Sequence, residues 1–243
     1  MSTFEKTDLN ENVKSDKKIR KNEARAGKQQ SPLQCPLGDP ACAFLAELDQ
    51  LRSEVKALSA LVRTDELTGL FNYRHFMQAM EMEMERTRRS LKPMALIMLD
   101  LDNFKIFNDR WGHEFGNTSL VHVARLIADT IRKLDIACRY GGEEFAIILP
   151  DTSLRSGIML ANRLRQKIAT SVLHCDDQPV AVTASFGVDV YLPADRDDPS
   201  QFLHRADSWL FQAKANGRNQ VCHAPLENHS GVSHDERKLL LGN

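Results

Sequence analysis

Two short acidic stretches, far apart in the chain, have the residue types and spacing to do chemistry. Met94-Ala95-Leu96-Ile97-Met98-Leu99-Asp100-Leu101-Asp102-Asn103-Phe104-Lys105 is an apolar run that ends in carboxylates, and Arg139-Tyr140-Gly141-Gly142-Glu143-Glu144-Phe145 sets two more beside a glycine pair. Carboxylates at the end of a buried strand lie where open α/β sheets bind ligands, and strand alternation puts Asp100 and Asp102 on one face. Asp100 is the stronger candidate ligand. Asp100 and Glu143, from separate strands, could share a pair of metal ions roughly 3.5–4 Å apart, the arrangement used for phosphoryl transfer. Lys105 would then offset phosphate charge.

The runs Ile136–Tyr140 and Glu143–Leu149 read as strands joined by Gly141-Gly142, whose expected positive φ angles suit a type I′ turn. Glu143 would open a strand beside bare backbone, where a phosphate can approach closely and a carboxylate can hold its Mg²⁺. A plainer reading exists for each segment, a solvated surface hairpin and a strand end capped by acids. It explains either stretch alone but not both together.

The elements that must position these groups alternate between helix and strand. Arg74–Ser90 carries Met77, Met80 and Met84 at helical spacing as core fillers. Asn117–Arg132 has an apolar stripe of Leu120, Val123, Ala124, Ile127 and Ile131, and Leu154–Thr170 one of Ile158, Ala161, Leu164 and Ile168, both covering one sheet face. Val180–Tyr191 reads as a strand pair or one long strand bent at Gly187. Gln201–Ala215 reads as a last helix that delivers Lys214 and ends at Gly217 as a left-handed cap.

Five ordered blocks over Thr64–Cys222 resemble the GGDEF-domain diguanylate cyclases, bacterial enzymes that condense two GTP into cyclic di-GMP. They are Asp65-Glu66-Leu67-Thr68-Gly69-Leu70-Phe71-Asn72, Asp100–Asp109, Trp111-Gly112-His113-Glu114-Phe115-Gly116, the hairpin, and Ala213-Lys214-Ala215-Asn216-Gly217-Arg218-Asn219. The resemblance implies an α/β (α+β) fold with the ferredoxin-like core of nucleotidyl cyclases, a mainly antiparallel central sheet flanked by helices. It implies metal binding (two Mg²⁺ per half-site, Mn²⁺ as a substitute) by the Asp100 and Glu143 carboxylates and the Leu101 carbonyl. Lys105, Lys214 and Arg218 would face the triphosphate, with backbone amides from Asn103 and Phe104 and close approach at Gly141 and Gly142. Glu143 would accept the proton of the attacking 3′-hydroxyl, with Glu144 completing the acidic pair. Since one domain holds one nucleotide, the reaction would need a homodimer.

The family reads Gly-Asp where this chain has Gly116-Asn117. An Asp can accept from both N1–H and N2–H of guanine, whereas Asn has one acceptor oxygen and brings donors of its own. Asn108, the family's guanine contact, and His113 of the neighbouring block are present. GTP is therefore the expected substrate, with relaxed purine choice as an alternative. Arg132-Lys133-Leu134-Asp135 stands where the family carries its Arg-x-x-Asp product-inhibition motif: Arg132 can fork onto guanine and Asp135 can take the donors of the opposite edge. The plainer reading is an i,i+3 ion pair. A different class of function, a catalytically silent cyclic di-GMP-binding module, would show a damaged hairpin or lack Asp100, and neither is seen.

The chain has 243 residues, 32 basic and 33 acidic, with a formal charge of −1, so no strong field favours nucleic acid or a membrane surface. No apolar stretch approaches the roughly 18 residues that span a bilayer, and the first 30 residues lack a secretory signal, so a cytoplasmic location is expected. Five cysteines at irregular spacing suggest no disulfide framework. Cys35 and Cys42 flank a proline-broken loop that reads as plain, or as a metal or redox site. The expected organisation is a polar, disordered segment over 1–34, the cysteine loop and a helix over 35–63, the cyclase domain over 64–224 and a loose tail over 225–243. Phe44, Leu48, Leu51, Val55, Leu58 and Val62 follow at spacings of 4, 3, 4, 3 and 4, the a/d pattern of a short coiled coil or of an amphipathic helix packed on its own domain. No separate sensor domain is expected within the first 63 residues.

Overall fold

The computed structural model describes residues 43–175 and 178–226 and divides into two compact units, up to Val62 and from Arg63 onward. The first contains helix α1 (Ala43–Leu61), on which Leu48, Leu51 and Val55 are all exposed. Cys35, Cys42, the polar amino-terminal segment and the tail from residue 227 lie outside the described residues, as do the side chains of Phe44 and Leu58.

The second unit is built on a six-stranded sheet. Its strands are β1 (Phe71–Asn72), β2 (Met94–Leu101), β3 (Ile136–Arg139), β4 (Glu144–Leu149), β7 (Ala184–Tyr191) and β8 (Val221–His223), in the order β1-β3-β4-β2-β7-β8. The four central strands are antiparallel neighbours, and the edges β1 and β8 pair in parallel. Strand β2 is buried along its whole length, which is why its sequence is a continuous apolar run rather than an alternating one.

Both faces of the sheet are covered. Helices α4 (His113–Ala128) and α5 (Leu154–Thr170) pack Leu120, Val123, Ile127, Leu164 and Ile168 into one core. Helices α2 (Tyr73–Ser90) and α6 (Pro199–Ala215) pack Phe76, Met80, Met84, Phe202 and Leu210 into the other. The short helix α3 (Phe104–Trp111) follows β2 directly. Side chains start the long helices: Asn72 accepts from the His75 amide, Ser153 from that of Ser156, and Asp198 forms a capping box with Gln201 around Pro199.

Two strand expectations are corrected. Residues 178–181 form β6, which pairs with β5 (Val172–Cys175) in a separate hairpin, so 180–191 is neither one bent strand nor a pair with itself. Gly187 lies inside β7 and marks no bend; a Cβ there would come within 2.3 Å of the Ala206 carbonyl and the Leu210 amide, so the glycine lets α6 lie close on the sheet. Cys138 is buried and Cys175 and Cys222 are half-buried, all as free thiols. Among the described residues, no helix is long and apolar enough to cross a membrane.

Candidate active site

The end of β2 delivers Asp100 into an acidic cluster. Antiparallel pairing sets Asp100 opposite Glu144 of β4 on one side and Ser185 of β7 on the other, so like charges share one face of the sheet. Both carboxylates are buried, and Glu143 stands beside them, half-buried, its carbonyl accepting from the Leu101 amide at 3.3 Å. Burial lifts the Asp100 carboxyl to about 6; Lys214 opposes that rise, and the negative fields of Glu144 and Glu143 add to it. The last turn of α6 supplies the balancing cation, with Lys214 Nζ 2.7 Å from Asp100 Oδ2. The cluster therefore favours positive charge, which Lys214 supplies here. Among the described residues no three acidic, histidine or cysteine side chains already converge as a metal cage, so a divalent ion at Asp100 and Glu143 would need oxygens from a bound ligand to complete its shell.

The hairpin differs from the sequence expectation. Strand β4 opens at Glu144, not Glu143, and the connection from Arg139 spans Tyr140–Glu143. Gly141 and Gly142 are not in the left-handed region, so no type I′ turn forms; the Glu144 carbonyl instead accepts from the amides of Tyr140 (2.8 Å) and Gly141 (3.2 Å). Gly141 lies close under the Glu144 side chain: a Cβ there would come within 2.4 Å of Glu144 Oε2 and would push that carboxylate aside. Around Gly142 there is open space, and its carbonyl is held by Arg139 through Nε at 3.1 Å and Nη2 at 2.8 Å.

Helix α3 begins at this rim. Asn103 takes a left-handed φ of 54° and Phe104 starts the helix, so the first-turn amides are free of backbone partners within the helix. Lys105 and Arg218 are exposed and, among the described residues, form no ion pair. Further along α3, Asn108 Oδ1 is buried without a hydrogen-bond partner; a Cβ on Gly116 would fall 1.9 Å from it, so that glycine makes room for the amide. His113 opens α4, and both His113 and Asn117 are exposed.

Asp102 does not join the acidic cluster. It lies one residue past β2 and accepts from Ser185 Oγ at 2.6 Å, Thr183 Oγ1 at 2.7 Å and the Asn219 amide at 3.0 Å.

The region from Arg63 onward belongs to a known family: a family model described as "Diguanylate cyclase, GGDEF domain" matches residues 62–220. This chain is a GGDEF protein. The GGDEF domain is 38% identical over 176 residues to the response regulator PleD of Caulobacter vibrioides, covering 71% of this chain and 38% of that relative's length. Among solved structures, the coiled coil and GGDEF domain of DgcB from Caulobacter crescentus in complex with c-di-GMP matches with a TM-score of 0.64 and 29% identity, over 74% of this chain and 94% of that one. Diguanylate cyclase SiaD of Pseudomonas aeruginosa, in complex with its activator SiaC, matches with a TM-score of 0.64 and 30% identity, over 91% of this chain and 80% of that one.

A second location on the GGDEF domain is a cavity of about 280 Å³ lined by Arg132, Asp135, Thr152, Ser156, Met159 and Arg163, among others. The i,i+3 ion pair allowed by sequence does not form. Asp135 instead accepts from the backbone amide of Arg132 at 2.8 Å, and burial raises its carboxyl, which leaves the exposed Arg132 guanidinium to the cavity. Sequence reading missed Arg163, which comes from α5; no local signal ties it to a motif 31 positions away. It also missed Asp65, which accepts from the amide and hydroxyl of Thr68 and reaches Arg139 of the hairpin.

Proposed function

We propose that this chain is a diguanylate cyclase that joins two GTP molecules into cyclic di-GMP and releases two pyrophosphates. The carrying observation is Asp100, buried opposite Glu144 and beside Glu143, with Lys214 as its counter-ion at 2.7 Å. Asp100, Glu143 and the Leu101 carbonyl would hold two Mg²⁺, or Mn²⁺, and the ions would neutralise charge on the triphosphate and its transition state. Lys214, now paired with Asp100, would turn to the phosphates with Lys105 and Arg218 once another cation neutralised that carboxylate. The amides of Asn103 and Phe104 orient the same oxygens, and Gly142 leaves room for them at the hairpin. Glu143 takes the proton from the attacking 3′-hydroxyl, and buried Glu144 keeps the local field negative.

The base is read by Asn108, whose side-chain oxygen has no partner where it packs against Gly116 and would turn outward to accept from the N–H donors of guanine. His113 and Asn117 flank it. A second reading, a cyclase with relaxed purine choice, is favoured by Asn117 alone, since its amide offers one acceptor where an aspartate offers two. The remaining alternative, a silent cyclic di-GMP-binding module, fits poorly with an intact Asp100, Glu143 and hairpin.

Each site holds one nucleotide, so the reaction takes place between two protomers of a homodimer. The exposed Leu48, Leu51 and Val55 on α1 favour a short parallel coiled coil as the link, which raises the effective concentration of one site for the other. Cyclic di-GMP also acts as an inhibitor at Arg132 and Asp135; its presence in the DgcB structure supports product binding by such domains. The protein works in the cytoplasm, where GTP is available, without nucleic-acid or membrane partners. The test is incubation of the purified protein with GTP and Mg²⁺ followed by mass analysis. Cyclic di-GMP with pyrophosphate is expected from the wild type and neither from Glu143→Gln, and full activity in Glu143→Gln would overturn the assignment.

A further inference from the structure

The turn after α6 is held in a backbone conformation that L-residues rarely adopt. Gly217, Arg218 and Asn219 have φ of 111°, 64° and 44°, three consecutive left-handed residues of which two carry side chains. Such a turn persists only where its surroundings over-determine it. Here it is gripped from two sides. Asp102 Oδ2 accepts the Asn219 amide at 3.0 Å, while Arg165 Nη1, from α5, reaches the Asn219 carbonyl at 3.2 Å and its side-chain oxygen at 3.3 Å. Asp102 is itself fixed by Thr183 and Ser185 at the start of β7, and its own amide donates to the Thr183 carbonyl at 2.8 Å.

This clasp holds the turn that carries one of the two basic groups expected at the triphosphate and directly follows the helix that carries the other. Lys214 precedes the turn by three residues and Arg218 sits at its centre, the Arg218 amide tied back to the Ala213 carbonyl at 3.0 Å. Both Asp102 oxygens are spent on three internal donors, which leaves this carboxylate poorly placed to serve a metal. We infer that Asp102 and Arg165 are positioning residues for nucleotide binding: they lock the left-handed turn 217–219 so that Arg218 meets the phosphates beside Lys214. The inference rests on the cyclase reading for the identity of the ligand.

The test measures binding of a nonhydrolysable α,β-methylene GTP in Mg²⁺, by calorimetry, on the full chain. Asp102→Ala is expected to weaken binding about tenfold or more, with an unchanged Mg²⁺ half-saturation. Asp102→Asn, which keeps an acceptor for the Asn219 amide, is expected to stay within about threefold of wild type. Combining Asp102→Ala with Arg218→Ala should cost less than about threefold beyond Arg218→Ala alone, because the first change acts through the second residue. Arg165→Ala carries the same expectation and decides the matter if Asp102→Ala does not fold. Additive losses with Arg218→Ala, or an Asp102→Asn variant as weak as Asp102→Ala, would overturn the inference while leaving the cyclase reading intact. A wild-type protein that binds no nucleotide would overturn both.

Discussion

Arg139 Nη1 lies 3.4 Å from both carboxylate oxygens of Asp65, joining the entrance of the domain to the tip of the hairpin. The same guanidinium holds the Gly142 carbonyl, so the segment that leads into the domain and the loop that carries Glu143 share one side chain. Both partners are largely shielded from solvent, which gives the pair more weight than a surface contact.

Asp65→Ala is expected to lower turnover about tenfold and the melting temperature by roughly 3–12 °C. Hydrogen bonds to charged groups contribute on the order of 1.5–3 kcal/mol, and about 1 kcal/mol shifts melting by roughly 2–4 °C in a unit of this size. Pyrophosphate release and a thermal melt check the two halves. Equal turnover in the variant would mean that the hairpin holds its shape without the entrance segment.

The buried Asp100 makes metal-free stability depend on pH. Its folded carboxyl titrates near 6, above the 3.8 of the unfolded chain, so its contribution to stability is fully present below about 3.8 and is lost as pH rises through about 6. Metal-free Asp100→Asn should therefore gain on wild type across that window, by on the order of 2–3 kcal/mol, and lose all cyclase activity. Melting in EDTA at a series of pH values measures the gain. Mg²⁺ needs the ionised form, so Mg²⁺ stabilisation of the wild type should grow with pH over the same range.

Asn117→Asp is expected to raise the preference for GTP over ATP by ten- to hundredfold, since it replaces a mismatched donor worth about 1–3 kcal/mol with an acceptor. Incubation with both nucleotides and mass analysis of the dinucleotides gives the ratio. An unchanged ratio would place base selection wholly on Asn108.

Arg132→Ala is expected to relieve product inhibition by at least tenfold without slowing initial turnover. Arg163→Ala should do so in part, since it lines the same cavity from another helix. Initial rates at rising cyclic di-GMP report both effects, and an unchanged inhibition constant in Arg132→Ala would remove the site.

Much of the fold was legible in the sequence because single elements announced it. The apolar run before Asp100 marked a central strand, and the stripes of α4 and α5 marked one covered face. The limits came from tertiary contacts. Gly187 looked like a bend because nothing local shows that Ala206 and Leu210 will press against it. Gly141 and Gly142 suggested a left-handed turn, yet neither has a positive φ, and the Glu144 carboxylate folds over Gly141 instead. Asp102 shared the signature of Asp100 two positions earlier, and only the pairing of β2 with β7 and the arrival of Asn219 turn it into a clasp.

The most direct measurement is a crystal structure of the protein with α,β-methylene GTP and Mg²⁺. The carboxylates of Asp100 and Glu143 should both face bound metal, with Lys214 Nζ moved off Asp100 onto the phosphates. Nucleotide bound elsewhere, or bound with those two carboxylates turned away and Lys214 still paired to Asp100, would contradict the proposed chemistry.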